Sequence, residues 1–327
     1  MSDADATHRP IKRPGLRATL LNAVLHRYSK TPAEKLPKGR QVEDRHLEKG
    51  ARRIAQTMKR NEKLPAFIHL EKVSVPTPAG PMDAEWLSST KKGHEPQPGK
   101  VVLYFHGGGY FMCSAATHRP LTWRLAHGGA RKVLSINYRQ APAHRFPAWL
   151  DDAVSAYRFL LDQGYAAKDI ALGGDSAGGN LTLIALQQIR TEQLPMPGAA
   201  FCLSPWACMA GESPSLVKNA PKDVMFAAHG VTALARYHVQ EQDPKHPLLS
   251  PVYADYHGFP PLLLQVGSTE VLRDDSRRVA AKARAEGVTV QLEEWHNLPH
   301  VFHIFADYIP EGPQAIGHIN AFVKKHA

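Results

Sequence analysis

The sequence predicts an α/β fold, a mostly parallel central sheet with helices on both faces. Three observations predict it. Short runs that are apolar at nearly every position, such as Val101–Phe105, Ala199–Leu203 and Leu262–Val266, alternate with longer helical stretches. Strands of that kind are buried on both sides, which requires helices above and below the sheet. The chain has 327 residues, 43% of them hydrophobic, enough for one large domain with an insertion.

In chain order, residues 1–64 read as helical and basic. Leu16, Leu20, Leu21, Val24 and Leu25 recur at helical spacing, Pro32 and Pro37 break the pattern, and a second helix is expected over roughly Val42–Arg60. These helices are expected to pack on the main body; contact with a membrane surface is the alternative. Ile68–Val75 and Ala84–Ser88 alternate as a hairpin around a turn at Pro76–Pro81. Strand–helix units follow: strand Val101–Phe105 and helix Leu121–His127; strand Lys132–Asn137 and helix Ala148–Gln163; strand Ile170–Gly173 and helix Ala177–Arg190; then strand Ala199–Leu203. Residues 206–245 interrupt the rhythm with helical character of their own and read as an insertion. The rhythm resumes with strand Leu262–Val266, helix Asp274–Ala285, strand Val288–Glu293 and a closing helix Ala315–Lys325.

The net charge of +10 is concentrated in the first 60 residues. A basic balance can attract nucleic acid, anionic lipid or acidic substrates, but no nucleic-acid-binding motif follows, so a basic enzyme surface is expected. Cys113, Cys202 and Cys208 form neither a CxxC pair nor a metal-ligand pattern, which fits a reducing, cytoplasmic setting. Met1–Pro10 is polar and mixed in charge and gives no convincing export signal, so none is expected. No apolar run approaches the length of roughly 18 residues that a membrane-spanning helix needs, so no transmembrane helix is expected either.

Two motifs carry chemistry. Gly173-Gly174-Asp175-Ser176-Ala177-Gly178-Gly179 contains G-x-S-x-G at a strand–helix junction. A serine nucleophile must stand on a sharp, strained turn, and glycines on either side leave room for it. At a usage of about 7% each for Gly and Ser, a chance match in such a chain has odds of roughly one in ten, which the strand–turn–helix context lowers. His106-Gly107-Gly108-Gly109-Tyr110 directly follows the buried strand Val101–Phe105. Consecutive glycines let backbone N–H groups approach a ligand closely. Tyr110-Phe111-Met112 does not complete a dinucleotide-binding G-x-G-x-x-G, and the Gly-Lys-Ser/Thr of a Walker loop is missing.

With HGGGY at 106–110, YRQAPAHRFPAWLDDA at 138–153 and GDSAGGN at 174–180, the chain resembles the hormone-sensitive-lipase-like branch of the α/β-hydrolases over roughly residues 66–325. The resemblance implies that Ser176 is the nucleophile and that the amides of Gly108, Gly109 and Ala177 form the oxyanion hole. His106, Asp175, Arg139, Pro142 and Asp152 would be scaffold. The acid and base follow the serine in such folds. The resemblance places the acid at Glu270, just past strand Leu262–Val266. Aspartate is commoner at that position, so glutamate departs from the pattern. Asp274 and Asp275 compete, but N-capping of the next helix explains them without catalysis. Of His296, His300 and His303, the family pattern of a histidine before a hydrophobic–aromatic pair selects His300. Pro299 disrupts the helix that a metal reading of this cluster would require.

The implied activity is hydrolysis of short- to medium-chain carboxylic esters through a Ser–His–Glu triad, with no cofactor and no metal. Residues 65–327 would form the catalytic domain. A cap would be built from residues 1–64 and the insertion at about 206–245. Tyr110 and Trp206 are expected to border the substrate, with Met209, Met225, Phe226 and Tyr237 as further wall candidates. The expected partner is a small-molecule ester, with no nucleic acid, and the chain would be a monomer or homodimer.

Overall fold

The computed structural model describes the backbone of residues 8–11 and, in full, residues 14–30, 39 and 41–327. Pro32, Pro37 and the rest of that breaker segment lie outside the described residues. Among those described, nine strands form one sheet: β1 His8–Ile11, β2 Ile68–Thr77, β3 Gly80–Ser89, β4 Val101–Phe105, β5 Lys132–Ile136, β6 Ile170–Asp175, β7 Ala199–Leu203, β8 Leu262–Gly267 and β9 Val290–Trp295. Their spatial order is β1-β9-β8-β7-β6-β4-β5-β3-β2. Only β3 runs against its neighbours, and every other adjacent pair is parallel. The fold is that of an α/β hydrolase, as the sequence predicts.

The helices of ten residues or more among the described residues are α1 Leu16–Leu25, α2 Asp44–Met58, α3 Arg119–Gly129, α4 Ala148–Asp162, α5 Ala177–Thr191, α6 Ala228–Val239, α7 Arg273–Ala285 and α8 Glu311–His326. Strand β4 explains the layering. Val101, Leu103 and Phe105 join the apolar cluster that α4, α5 and α7 cover, while Val102 and Tyr104 join the opposite cluster with Leu121 and Leu125 of α3 and Ile319 and Phe322 of α8. Alternate side chains point to opposite faces, so a strand apolar at every position is covered on both.

The structure departs from the sequence reading in three places. The β2–β3 turn is tighter than Pro76–Pro81. Both strands run on to Thr77 and Gly80, with Gly80 at φ +111° and the Thr77 hydroxyl donating to the Gly80 carbonyl at 2.6 Å. Residues 8–11 form a strand parallel to β9 inside a segment read as helical; four residues carry no periodicity of their own, and β9 supplies the pairing. Helix α1 does pack on the body, but through only part of its leucine stripe. Ala18, Leu21 and Asn22 face inward, and Ala18 and Leu21 join a cluster containing Trp295, Leu298 and Phe302. Leu16, Leu20 and Val24 face outward.

Candidate active site

The site lies at the carboxyl ends of the strands, where ligands bind in open α/β sheets. Ser176 stands between β6 and α5 with φ 54° and ψ −117°, a conformation that L-residues rarely adopt. Neighbouring backbone holds it there. The Ser176 N–H donates to the Leu203 carbonyl at 2.8 Å, and the Trp206 and Asn180 N–H groups each donate to the Ser176 carbonyl at 3.0 Å. The glycines around it are required by contact. A Cβ on Gly178 would sit 2.0 Å from the Phe105 carbonyl oxygen, and one on Gly174 2.3 Å from the Gly178 oxygen.

Asp175 couples this elbow to the glycine loop. Its carboxylate accepts from the Tyr104 hydroxyl at 2.6 Å and the Gly107 N–H at 3.0 Å, and it lies 3.2 Å from His118 Nε2. Burial pushes this carboxyl up, but the charge and hydrogen bond of His118 and the Tyr104 hydroxyl outweigh it and hold Asp175 below its ordinary value. His106 is buried, stacks on Tyr138 with centroids 4.4 Å apart, and has its Nδ1 2.7 Å from the Gly107 carbonyl. Burial pulls it down to about 3, so it stays neutral.

Gly108 has φ +115° and Gly109 φ +60°. The Phe111 and Met112 N–H groups both donate to the Gly108 carbonyl at 3.1 Å. Among the described residues no protein group accepts from the N–H of Gly108, Gly109 or Ala177. Gly108 and Gly109 lie on the loop tied to Asp175 through the Gly107 N–H, and Ala177 opens α5, where peptide dipoles favour negative charge.

The acid–base side comes from β7, β8 and β9. His300 Nε2 is 2.9 Å from Ser176 Oγ, and His300 Nδ1 is 2.7 Å from Glu270 Oε2. The carboxylate can only accept, so Nδ1 carries the proton and Nε2 is free to accept from the serine hydroxyl. The other carboxylate oxygen, Oε1, accepts from the Gly267 N–H at 2.5 Å and the Ser204 hydroxyl at 2.7 Å. Glu270 is 1% exposed and His300 5%. The longer glutamate side chain therefore reaches the imidazole from its own loop, with both oxygens occupied.

The competitors go elsewhere. Asp274 pairs with Arg273 at 2.9 Å, and Asp275 accepts the Ala207 and Cys208 N–H groups at 2.8 and 2.9 Å. Neither caps α7, whose N-cap is Leu272; Asp275 instead braces the chain that leaves β7. Burial raises its carboxyl to about 7. His303 is buried 2.8 Å from Gln265 Oε1 and falls to about 3, and His296 is exposed.

Tyr110 is fully enclosed. Its ring stacks on Trp149 at 4.4 Å and its hydroxyl donates to Asn180 Oδ1 at 2.7 Å. Asn180 in turn donates to the Trp206 and Leu249 carbonyls. Tyr110 thus backs the glycine loop from behind. Trp206 is nearly buried, and its N–H donates to the Ser176 carbonyl. Tyr237 donates to Asp44 at 2.6 Å and joins α6 to α2. Phe226 sets its ring edge-on to His300 at 4.7 Å.

Sequence reasoning missed two residues that shape the site. Ser204, with φ +48°, bridges Glu270 and the Val301 N–H. A polar residue at the end of the strand next to the nucleophile was the available signal. His238 of α6 donates from Nε2 to the Gly109 carbonyl at 2.8 Å, and burial lowers it to about 4. No local pattern marks it among 18 histidines.

Comparison with known proteins agrees with this fold. The sequence profile described as alpha/beta hydrolase fold matches residues 102–304. An acetyl-hydrolase of Streptomyces hygroscopicus is 40% identical over 245 residues, 75% of this chain and 80% of its own length. An esterase of Acinetobacter venetianus is 34% identical over 68% of this chain and 74% of its own. Among solved structures, an esterase from the bacterial hormone-sensitive lipase family superposes with a TM-score of 0.84 at 36% identity, covering 96% of this chain and 99% of that one. The chain belongs to the α/β-hydrolase fold family, as an esterase-type hydrolase of its hormone-sensitive-lipase-like branch.

Proposed function

We propose that the protein hydrolyses short- to medium-chain carboxylic esters through a Ser176–His300–Glu270 triad and an acyl-enzyme intermediate. The observation that carries this reading is the continuous relay from Ser176 Oγ to His300 Nε2 at 2.9 Å and from His300 Nδ1 to Glu270 at 2.7 Å. Ser176 Oγ attacks the ester carbonyl carbon while His300 Nε2 takes its proton. The oxyanion is held by the Gly108, Gly109 and Ala177 amides; one such donor is worth roughly 3–4 kcal/mol of barrier. As the C–O bond breaks, His300 passes the proton to the departing alcohol, leaving the acyl group on Ser176. Water then attacks that ester, giving its proton to His300, which returns it to Ser176 as the carboxylic acid leaves. Glu270 keeps the imidazole in the productive tautomer and balances its transient charge.

Residues 1–64 and about 206–245 act together as the cap in this reading. Lys30 donates to the Ala220 and Phe226 carbonyls and Ser29 to the Met225 carbonyl, so α1's extension grips the insertion beside His300. Trp206 and Phe226 form the wall nearest the reacting atoms, and Tyr110 shapes it indirectly through the glycine loop. The acetyl-hydrolase relative favours the short end of the chain-length range. The three cysteines, all free, support a reducing, cytoplasmic setting.

The test is a panel of acetyl, butyryl and octanoyl esters, run on the native protein beside Ser176→Ala. Turnover should fall on the order of a million-fold in the variant, and the native rate should peak at acetyl or butyryl. Turnover retained by a folded Ser176→Ala protein would overturn the triad.

A further inference from the structure

We propose that the outward face of α1 docks on an anionic lipid surface. Six large hydrophobic side chains are exposed among the described residues, and four lie here: Leu16 (78%), Leu20 (60%), Val24 (52%) and Tyr28 (67%). They recur every four residues, so along α1 and the helical turn His26–Lys30 they form one ridge. The other two, Val217 and Tyr308, belong to segments that α1 and its extension touch. Lys30 donates to Ala220 shortly after Val217, and Ile309 next to Tyr308 belongs to the cluster beneath Ala18 and Leu21. Four of the six exposed large hydrophobic side chains thus make one continuous ridge. Contiguous exposed apolar area of this kind marks an interaction site rather than ordinary surface.

The ridge is not a misplaced packing face, because the opposite side of the helix is fully engaged. Asn22 donates to the Asn297 carbonyl at 2.8 Å, the Gly15 N–H donates to Glu311 at 2.7 Å, and Ala18 is completely buried.

Charge chooses among possible occupants. Residues 1–64 contain sixteen Lys and Arg against seven Asp and Glu, whereas the rest of the chain is nearly balanced. Arg17 and Arg27 are exposed on α1 and its extension, as are Arg45, Lys49, Arg52 and Arg53 on α2. A second copy packed ridge to ridge would bring Arg17 and Arg27 against their own equivalents, and a nucleic acid would leave the leucines in water. An anionic lipid surface satisfies both, burying the apolar side chains at the acyl boundary and pairing the cations with headgroups. The helix also rests on Asn297 and Leu298, in the loop that carries His300, so a surface met by α1 lies beside the site's mouth.

The test is sedimentation of the full protein with vesicles of phosphatidylcholine alone and of phosphatidylcholine mixed with phosphatidylglycerol. The native protein should bind the anionic vesicles, lose most of that binding in high salt, and bind the neutral vesicles at least roughly tenfold more weakly. Leu20→Ser/Val24→Ser should lower binding to anionic vesicles on the order of tenfold, while hydrolysing a water-soluble ester at the native rate, which shows that it is folded. Ser176→Ala should bind as the native protein does, so a failure of the proposed catalysis leaves this result standing. Equal sedimentation with neutral and anionic vesicles, native binding by the double variant, or a ridge that proves to be buried in a dimer with no vesicle binding would each overturn the proposal.

Discussion

The sheet side of the site and the cap side are held together by different means. On the sheet side, backbone meets backbone. The elbow and the strand end that leads into the glycine loop approach so closely that a methyl group on Gly178 would lie 2.0 Å from the Phe105 carbonyl oxygen and one on Gly107 2.9 Å from the Asp175 carbonyl oxygen. On the cap side, single side chains reach across: Lys30 and Ser29 to the insertion, Tyr237 to Asp44, His238 to Gly109. A close-packed backbone has no neighbouring arrangement of similar energy, whereas a side-chain tie contributes only about 0.5–1.5 kcal/mol and can be exchanged. In the proposed mechanism the reacting groups thus sit where little can move, and the proposed cap where much can change.

If that contrast holds, substitutions should sort by side. The largest effect after loss of the nucleophile is expected for Glu270→Gln. It removes the charge that balances the imidazolium, and kcat should fall roughly ten-thousandfold with a measurable residue. Asp274→Asn should have a far smaller effect, and a larger one would transfer the acid role away from Glu270. Ser204→Ala takes one of two donors from Glu270 Oε1; kcat should drop about tenfold with KM little altered, the mark of a positioning group rather than a binding one.

A pH titration probes the seam between the halves. His238 falls to about 4 when folded, against an ordinary 6.5. Between those values the unfolded chain holds a proton that the folded one does not, so stability should decline as pH is lowered from about 6.5 towards 4. His106 and His303, both near 3, act in the same direction. Asp275, raised to about 7, opposes them because its folded form holds a proton there that the unfolded one lacks, so the expected decline is the net of three histidines against one carboxyl. Urea midpoints measured across that range should show a shallower decline for His238→Gln, whose amide can still donate to Gly109. A native midpoint independent of pH there would dissolve this account. The smallest effect is expected for Phe226→Ala on the cap. It should shift kcat/KM between butyryl and octanoyl esters by a few-fold and leave the melting temperature nearly unchanged. A large loss of stability would mean that the cap is as deeply built in as the sheet.

The central strands were readable because burial on both faces writes itself into consecutive residues, as in Val101–Phe105 and Ala199–Leu203, where predicted and observed boundaries coincide. Strand β1 was not, since His8–Ile11 becomes a strand only by lying along β9. The inward face of α1 was misjudged for a related reason. Helical spacing reveals a stripe of leucines but not whether protein or solvent meets it, and a small inward face of Ala18 and Asn22 suits close approach to Asn297.

The sequence by itself determined the elbow, the glycine loop and the order of the residues that follow, because these depend on local backbone geometry that only certain residues permit. The tertiary structure decided which carboxylate faces the imidazole, that Ser204 and His238 serve the site, that Tyr110 lies behind the loop, and that Leu16, Leu20 and Val24 look outward. Each of these is a meeting of segments far apart in the chain, and a distance of 2.9 Å across 124 residues leaves no trace in either segment alone.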